Sequence, residues 1–115
     1  MSDSIMLNKS KDFAVEIVRT CRSIKSNDMT RQLIRSGTSI GANIHESKYA
    51  QGTADFISKM QIALKECYES EYWLEILNRV GDFDDETYKK LLTDCGNIRR
   101  MLISSINTVK KNSQK

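Results

Sequence analysis

Few residues in this chain have the types and spacing for chemistry. His45 is the single histidine, and Cys21, Cys67 and Cys95 are the three cysteines. Zinc held by thiolates needs close pairs such as C-x-x-C or a Cys/His cluster, and these cysteines are widely spaced. Each also falls on an apolar helical stripe, so the expected role is that of a small buried hydrophobe. A di-iron bundle needs a Glu-x-x-His motif on each of two helices, and no such motif is present. A Ser/His/Asp arrangement would have to use His45 alone. Glu66 and Glu69 have the spacing of paired carboxylates, but Lys65 and Arg35 are nearer partners than any metal. Glycosidase chemistry needs two carboxylates across a cleft, and a narrow bundle offers little room for one. Gly37 and Gly41 would serve a phosphate-cradling loop only after a strand and within a Walker or dinucleotide pattern, and neither is there. The residues therefore predict no catalysis, no metal and no cofactor.

A second set of residues is more informative. Leu33, Gly37, Ile40 and Ile44 recur at steps of four, three and four within RQLIRSGTSIGANIHE, residues 31–46. Gln32, Ser36, Ser39, Asn43 and Glu46 recur at similar steps one position earlier. On a helix such spacing gives an apolar seam with a polar seam directly beside it. Two uses of the polar seam follow. It satisfies neighbouring helices inside a bundle or at a subunit contact, or it lines a ligand pocket. The structural use is the expected one.

The elements that position these residues follow from composition and periodicity. The 115 residues include no Pro and five Gly, which favours long uninterrupted helices. Charged residues make up 29% and hydrophobic residues 39%, the balance of a single soluble domain spanning 1–115. No apolar run is long enough to cross a membrane. The first residues, MSDSIMLNKS, lack the apolar core of a secretory signal. A cytoplasmic location without membrane attachment is expected.

Four amphipathic helices are predicted, over about 8–26, 28–49, 53–79 and 84–109. Phe13, Ile17, Cys21 and Ile24 mark the first, with Asn8 or Ser10 as cap. Asn27 or Asp28 starts the second. Gly37 and Gly41 are costly inside it, about 1 kcal/mol each relative to Ala, unless a neighbouring helix approaches closely. Thr53 is the expected cap of the third, which Phe56, Met60, Ala63, Cys67, Ser70, Leu74 and Leu77 stripe without a miss. Gly81 is placed to end it. Acids at Asp84, Asp85 and Glu86 suit the positive end of the fourth helix, and Phe83 with Tyr88 fits a hydrophobic staple. Short connections between four such helices predict an all-α, antiparallel up-down-up-down four-helix bundle.

The turn near residues 51 and 52 sets the register of the second and third helices, with facing residues summing to about 103. Arg35 is then within reach of Glu66 or Glu69 and should form an ion pair with one of them. Gly37 should face Glu66 and Cys67, and Asn43 should face Met60.

The stretches QLIRSGTSIGANIHE and DFISKMQIALKECYESEYWLEIL resemble a small bacterial four-helix-bundle family. It includes the proteins encoded in intervening sequences of large-subunit ribosomal RNA genes. The matching positions are Gln32, Leu33, Arg35, Ser36, Ser39, Ile40, Asn43, Ile44 and Glu46, then Phe56, Ile62, Ala63 and Glu69. The chain departs from the pattern at Ser47, where relatives usually carry Gly, and over Lys65–Cys67, often Gly-Ser in relatives. The resemblance implies a homopentamer of bundles. It extends to the accessory protein of diversity-generating retroelements, a pentamer that binds a reverse transcriptase and its template RNA through basic surface residues.

Charge is distributed unevenly. Residues 52–81 carry three basic and five acidic side chains, whereas Tyr88 to Lys115 carry seven basic residues and one acid, Asp94. The expected function is a non-enzymatic homo-oligomeric scaffold or adaptor that binds structured RNA or a nucleoprotein such as a reverse transcriptase. Arg19, Arg22, Lys89, Lys90, Arg99 and Arg100 are the expected contact residues, because the first and fourth helices are neighbours in this topology. Gln32, Arg35, Ser36, Ser39, Asn43, Glu46, Glu66 and Glu69 are expected to form the structural or oligomer network. The alternative is a protein-only interaction module that presents the acidic Glu69–Glu75 region to its partner.

Overall fold

In the computed structural model, residues 2–113 are described, and they form four helices: α1 (Ser2–Arg22), α2 (Asp28–Ser47), α3 (Thr53–Arg79) and α4 (Asp85–Ser113). Each helix packs on its two neighbours in the cyclic order α1, α2, α3, α4, and the diagonal pairs do not meet. The result is an antiparallel up-down-up-down bundle of 50 × 21 × 20 Å. Its core is a single cluster in which Phe13, Ile17, Leu33, Ile40, Met60, Leu74, Leu91, Ile98 and Leu102 are fully buried.

Local chemistry sets most helix ends. Asn27 caps α2: its side chain accepts from the Thr30 N–H at 2.9 Å, and Thr30 Oγ1 accepts from the Asn27 N–H at 2.9 Å. This reciprocal box satisfies two otherwise orphaned donors. Gly81 has φ +87° and follows the end of α3, where the Asp82 N–H bonds Leu77 O at 2.9 Å and the Gly81 N–H bonds Asn78 O at 3.1 Å. That double bond is the Schellman arrangement, which needs a residue at ease in the left-handed region. Asp84 starts α4 by accepting from the Thr87 N–H at 2.8 Å, and this bond holds its carboxyl below the ordinary value. Phe83 is buried and Tyr88 partly buried on either side of that cap.

Several expectations about ends need correction, among them the close of α1, which comes at Arg22 and not near residue 26, so that Ile24 packs on the core from the connection to α2. α1 begins at Ser2, not near Asn8, because Met6 and Leu7 extend the buried stripe upstream. Asn8 is therefore exposed within the helix, and Ser10 is a core residue whose Oγ donates to Leu7 O at 2.7 Å. Thr53 is not the cap of α3. Gly52 occupies that position without a side-chain bond, and Asp55 reaches back to accept the Gln51 N–H at 3.0 Å. α4 runs on to Ser113, where Lys110 and Lys111 complement the negative end of the helix dipole.

Candidate nucleic-acid interface and polar seam

The two glycines of α2 face α1. A Cβ on Gly37 would lie 3.2 Å from two carbons of Ile17, and one on Gly41 would lie 2.9 Å from Ser10 Oγ. Close approach of a neighbouring helix is thus the reason for both, but the neighbour is α1. The expectation that Gly37 faces Glu66 and Cys67 on α3 is corrected accordingly.

The polar seam divides into an inner and an outer part. Ser36 is fully buried, and its hydroxyl accepts from Ser70 Oγ across the α2–α3 contact at 2.9 Å while donating to Leu33 O at 3.3 Å. Arg35 lies on the outer side, half-exposed, with Nη1 3.4 Å from Glu66 Oε2 and Nη2 bonded to Glu69. Its Nε donates to Gln32 Oε1 at 3.3 Å. Glu69 also accepts from Trp73 Nε1 at 3.2 Å. Burial acts to raise the Glu69 carboxyl, but the bonds from Arg35 and Trp73 outweigh it and hold the group below the ordinary glutamate value. The bond to Glu69 raises the Arg35 guanidinium in turn. Glu46, exposed, sits 3.4 Å from Lys59 Nζ.

Ser39 and Asn43 behave differently from Ser36. Ser39 Oγ donates to Arg35 O at 2.7 Å, and Asn43 Nδ2 donates to Ser39 O at 2.9 Å. Both bond their own helix and stay partly exposed, so neither joins α2 to α3 within the bundle. Ile62 shares the outer flank of Glu66, Glu69 and Trp73 by helical spacing and is 40% exposed, high for an isoleucine on this seam. Ser70 and Trp73 complete the network without having been singled out for it. The signal for Ser70 was a hydroxyl on an otherwise apolar stripe; nothing in the spacing pointed to Trp73.

The six basic residues have different surroundings. Arg19, Arg22, Lys89 and Arg100 are exposed. Lys90 is held by Asp94 at 3.1 Å, one turn along its own helix, which raises its ammonium. Arg99 points toward α3, where Nε lies 3.1 Å from Glu71 Oε2 and Cζ lies 5.8 Å from the Tyr68 ring centre. The groove between α1 and α4 mixes Lys9 and Lys90 with Asp12, Glu16 and Asp94. The basic character of α4 therefore lies on its outward side.

His45 is exposed and meets Tyr49 edge-on at 5.6 Å. All three cysteines are buried. Among the described residues no group of His, Cys, Asp and Glu is arranged to hold a metal ion, and no helix is long and apolar enough to cross a membrane.

The family model described as 23S rRNA-intervening sequence protein matches residues 2–104. The chain belongs to that family. A crystal structure from Bacteroides thetaiotaomicron, described as a protein of unknown function from the S23 ribosomal protein family, is 46% identical. The similarity covers 93% of this chain and 99% of that one, with a TM-score of 0.89. No curated protein matches the chain. The bundle is thus a fold that this chain shares with a solved member of the S23 ribosomal protein family.

Proposed function

We propose that this 23S rRNA-intervening sequence protein is a non-enzymatic scaffold, a homopentamer of bundles that binds structured RNA or a nucleoprotein such as a reverse transcriptase in the cytoplasm. The observation that carries the reading is the character of α4. Beyond the acids of its first turn, Asp85 and Glu86, this single helix holds six basic residues against one acid, and Lys89, Arg100, Lys110 and Lys111 are exposed. It packs only on α1 and α3, which leaves its outer side open to a polyanion.

Self-association is supported by the outer α2–α3 seam. Ser39, Asn43 and Ile62 stay partly exposed there beside the Arg35 network. A mixed polar and apolar strip of this kind suits a subunit contact. Repetition of a modest basic surface around a ring would raise avidity without new contacts. The protein-only alternative is weakened by the state of its acidic region. Glu69, Glu71 and Glu75 are each engaged by an arginine of the same chain: Arg35, Arg99 and Arg79.

The test has two parts. The mass in solution should correspond to five chains; a monomer at micromolar concentration would remove the scaffold. Titration with a structured RNA should give binding that weakens steeply between low and physiological salt. No binding at low salt would remove the nucleic-acid reading.

A further inference from the structure

Gly96 lies in the middle of α4 and is not explained by helix packing. Glycine is the least favourable residue after proline in a helix interior. At Gly37 and Gly41 the missing side chain admits α1. Over Gly96 the nearest atoms are instead the guanidinium groups of its own helix: Arg99 Nη2 at 3.4 Å and Arg100 Nη1 at 3.5 Å from the position of an added Cβ. Two like charges thus lean back over the buried backbone of Gly96, 3.4 and 3.5 Å from one common point. They border a shallow hollow of about 410 Å³ that Glu71, Leu92 and Thr93 also line.

The arrangement is held in place. Glu71 fixes Arg99 at 3.1 Å, and Asn97 accepts a bond from Arg100 Nη2. Glu71 offsets one of the two charges, leaving the net charge of Arg100 for an incoming anion. Guanidinium groups match the oxygens of a phosphodiester in both geometry and charge. Tyr68, 51% exposed, presents its ring beside Arg99. A half-exposed aromatic ring next to a hollow bordered by guanidinium groups is the pairing that holds unpaired nucleotides, where a base stacks and its phosphate is neutralised.

We propose that Gly96, Arg99 and Arg100 form a cradle for one phosphodiester group of an unpaired RNA strand, with Tyr68 stacking an adjoining base. The proposal rests on the reading that the chain binds RNA, and it names where the strand is gripped.

The experiment titrates a labelled single-stranded oligoribonucleotide into the full chain at low salt. It compares the wild type with Gly96→Ala and Arg100→Gln. The alanine methyl fits at ordinary contact distance, so Gly96→Ala should fold and raise the melting temperature through better helix propensity. It should nevertheless weaken binding about tenfold by filling the floor of the hollow. Arg100→Gln should weaken binding similarly and lower the log–log salt slope by about 0.7. Wild-type affinity in both variants would overturn the cradle while leaving RNA binding to another surface. Absence of binding by the wild type would overturn the cradle together with the broader reading.

Discussion

Ser70 donates a hydrogen bond to Ser36 across the α2–α3 contact at 2.9 Å, and both residues are fully buried. The bond is directional, because Ser36 donates its own hydroxyl hydrogen bond to Leu33 O. Ser70→Ala leaves Ser36 with that carbonyl and should destabilise the bundle by about 0.5–1.5 kcal/mol. Ser36→Ala strips Ser70 of its acceptor in the core and should cost more, about 1–3 kcal/mol. Urea unfolding of the two single variants and the double variant checks the order. If Ser70→Ala proved the more damaging, the donor direction assigned here would be wrong.

The helical glycines should separate into two kinds. Gly37→Ala forces a methyl against Ile17, whose branched side chain has little rotameric freedom. Overpacking of about 1–3 kcal/mol should exceed the helix-propensity gain of about 1 kcal/mol. Gly41→Ala meets Ser10 Oγ, so adding Ser10→Ala should recover part of the loss. Thermal melts of these variants beside Gly96→Ala provide the comparison, and a Gly37→Ala variant as stable as the wild type would contradict the close α1 approach.

Acid should weaken the outer seam through Glu69. Its folded value lies below the ordinary 4.5, so its contribution is fully present above that value. The contribution is lost as the pH falls through the lowered folded value. Arg35 is 46% exposed, so solvent screening limits the pair to less than about 1 kcal/mol. Arg35→Met should therefore lower stability slightly at neutral pH and flatten its decline below pH 4.5. Trp73, which bonds Glu69, gives a fluorescence signal for the same titration. A slope unchanged by Arg35→Met would assign the acid response to other groups.

The thiols should be inert in the folded protein. Burial pushes Cys21 up to about 11, and Cys95 is raised by its contact with Cys67 and by burial. Little thiolate of Cys21 or Cys95 then exists at neutral pH, and thiolate is the reactive form, while Cys67 is shielded by complete burial. Ellman's reagent should label none of the three cysteines natively and all three in urea. Rapid native labelling of Cys67 or Cys95 would mean that the α3–α4 contact opens readily.

Much of the architecture was legible because helical periodicity is a local property. The steps of three and four through Phe13–Ile24, Leu33–Ile44 and Phe56–Leu77 define which faces are buried wherever the neighbours lie. Short connections then leave few ways to close the bundle. Asn27, Gly81 and Asp84 could be placed as helix ends because each acts on backbone groups within a few residues. The reach of Arg35 to Glu66 and Glu69 followed from the hairpin register alone. The start of α1 was missed because Met6 and Leu7 become helical through burial against other elements, which no local cap announces.

Four helices, their buried faces and the α2–α3 register are legible from residue spacing, since each depends on positions along the chain alone. Packing between helices settles which neighbour fills each gap: α1 over Gly37 and Gly41, Ser70 against Ser36, and Glu71 against Arg99. Those outcomes depend on how helices distant in sequence rotate and approach, and on the side-chain rotamers that dense packing then selects.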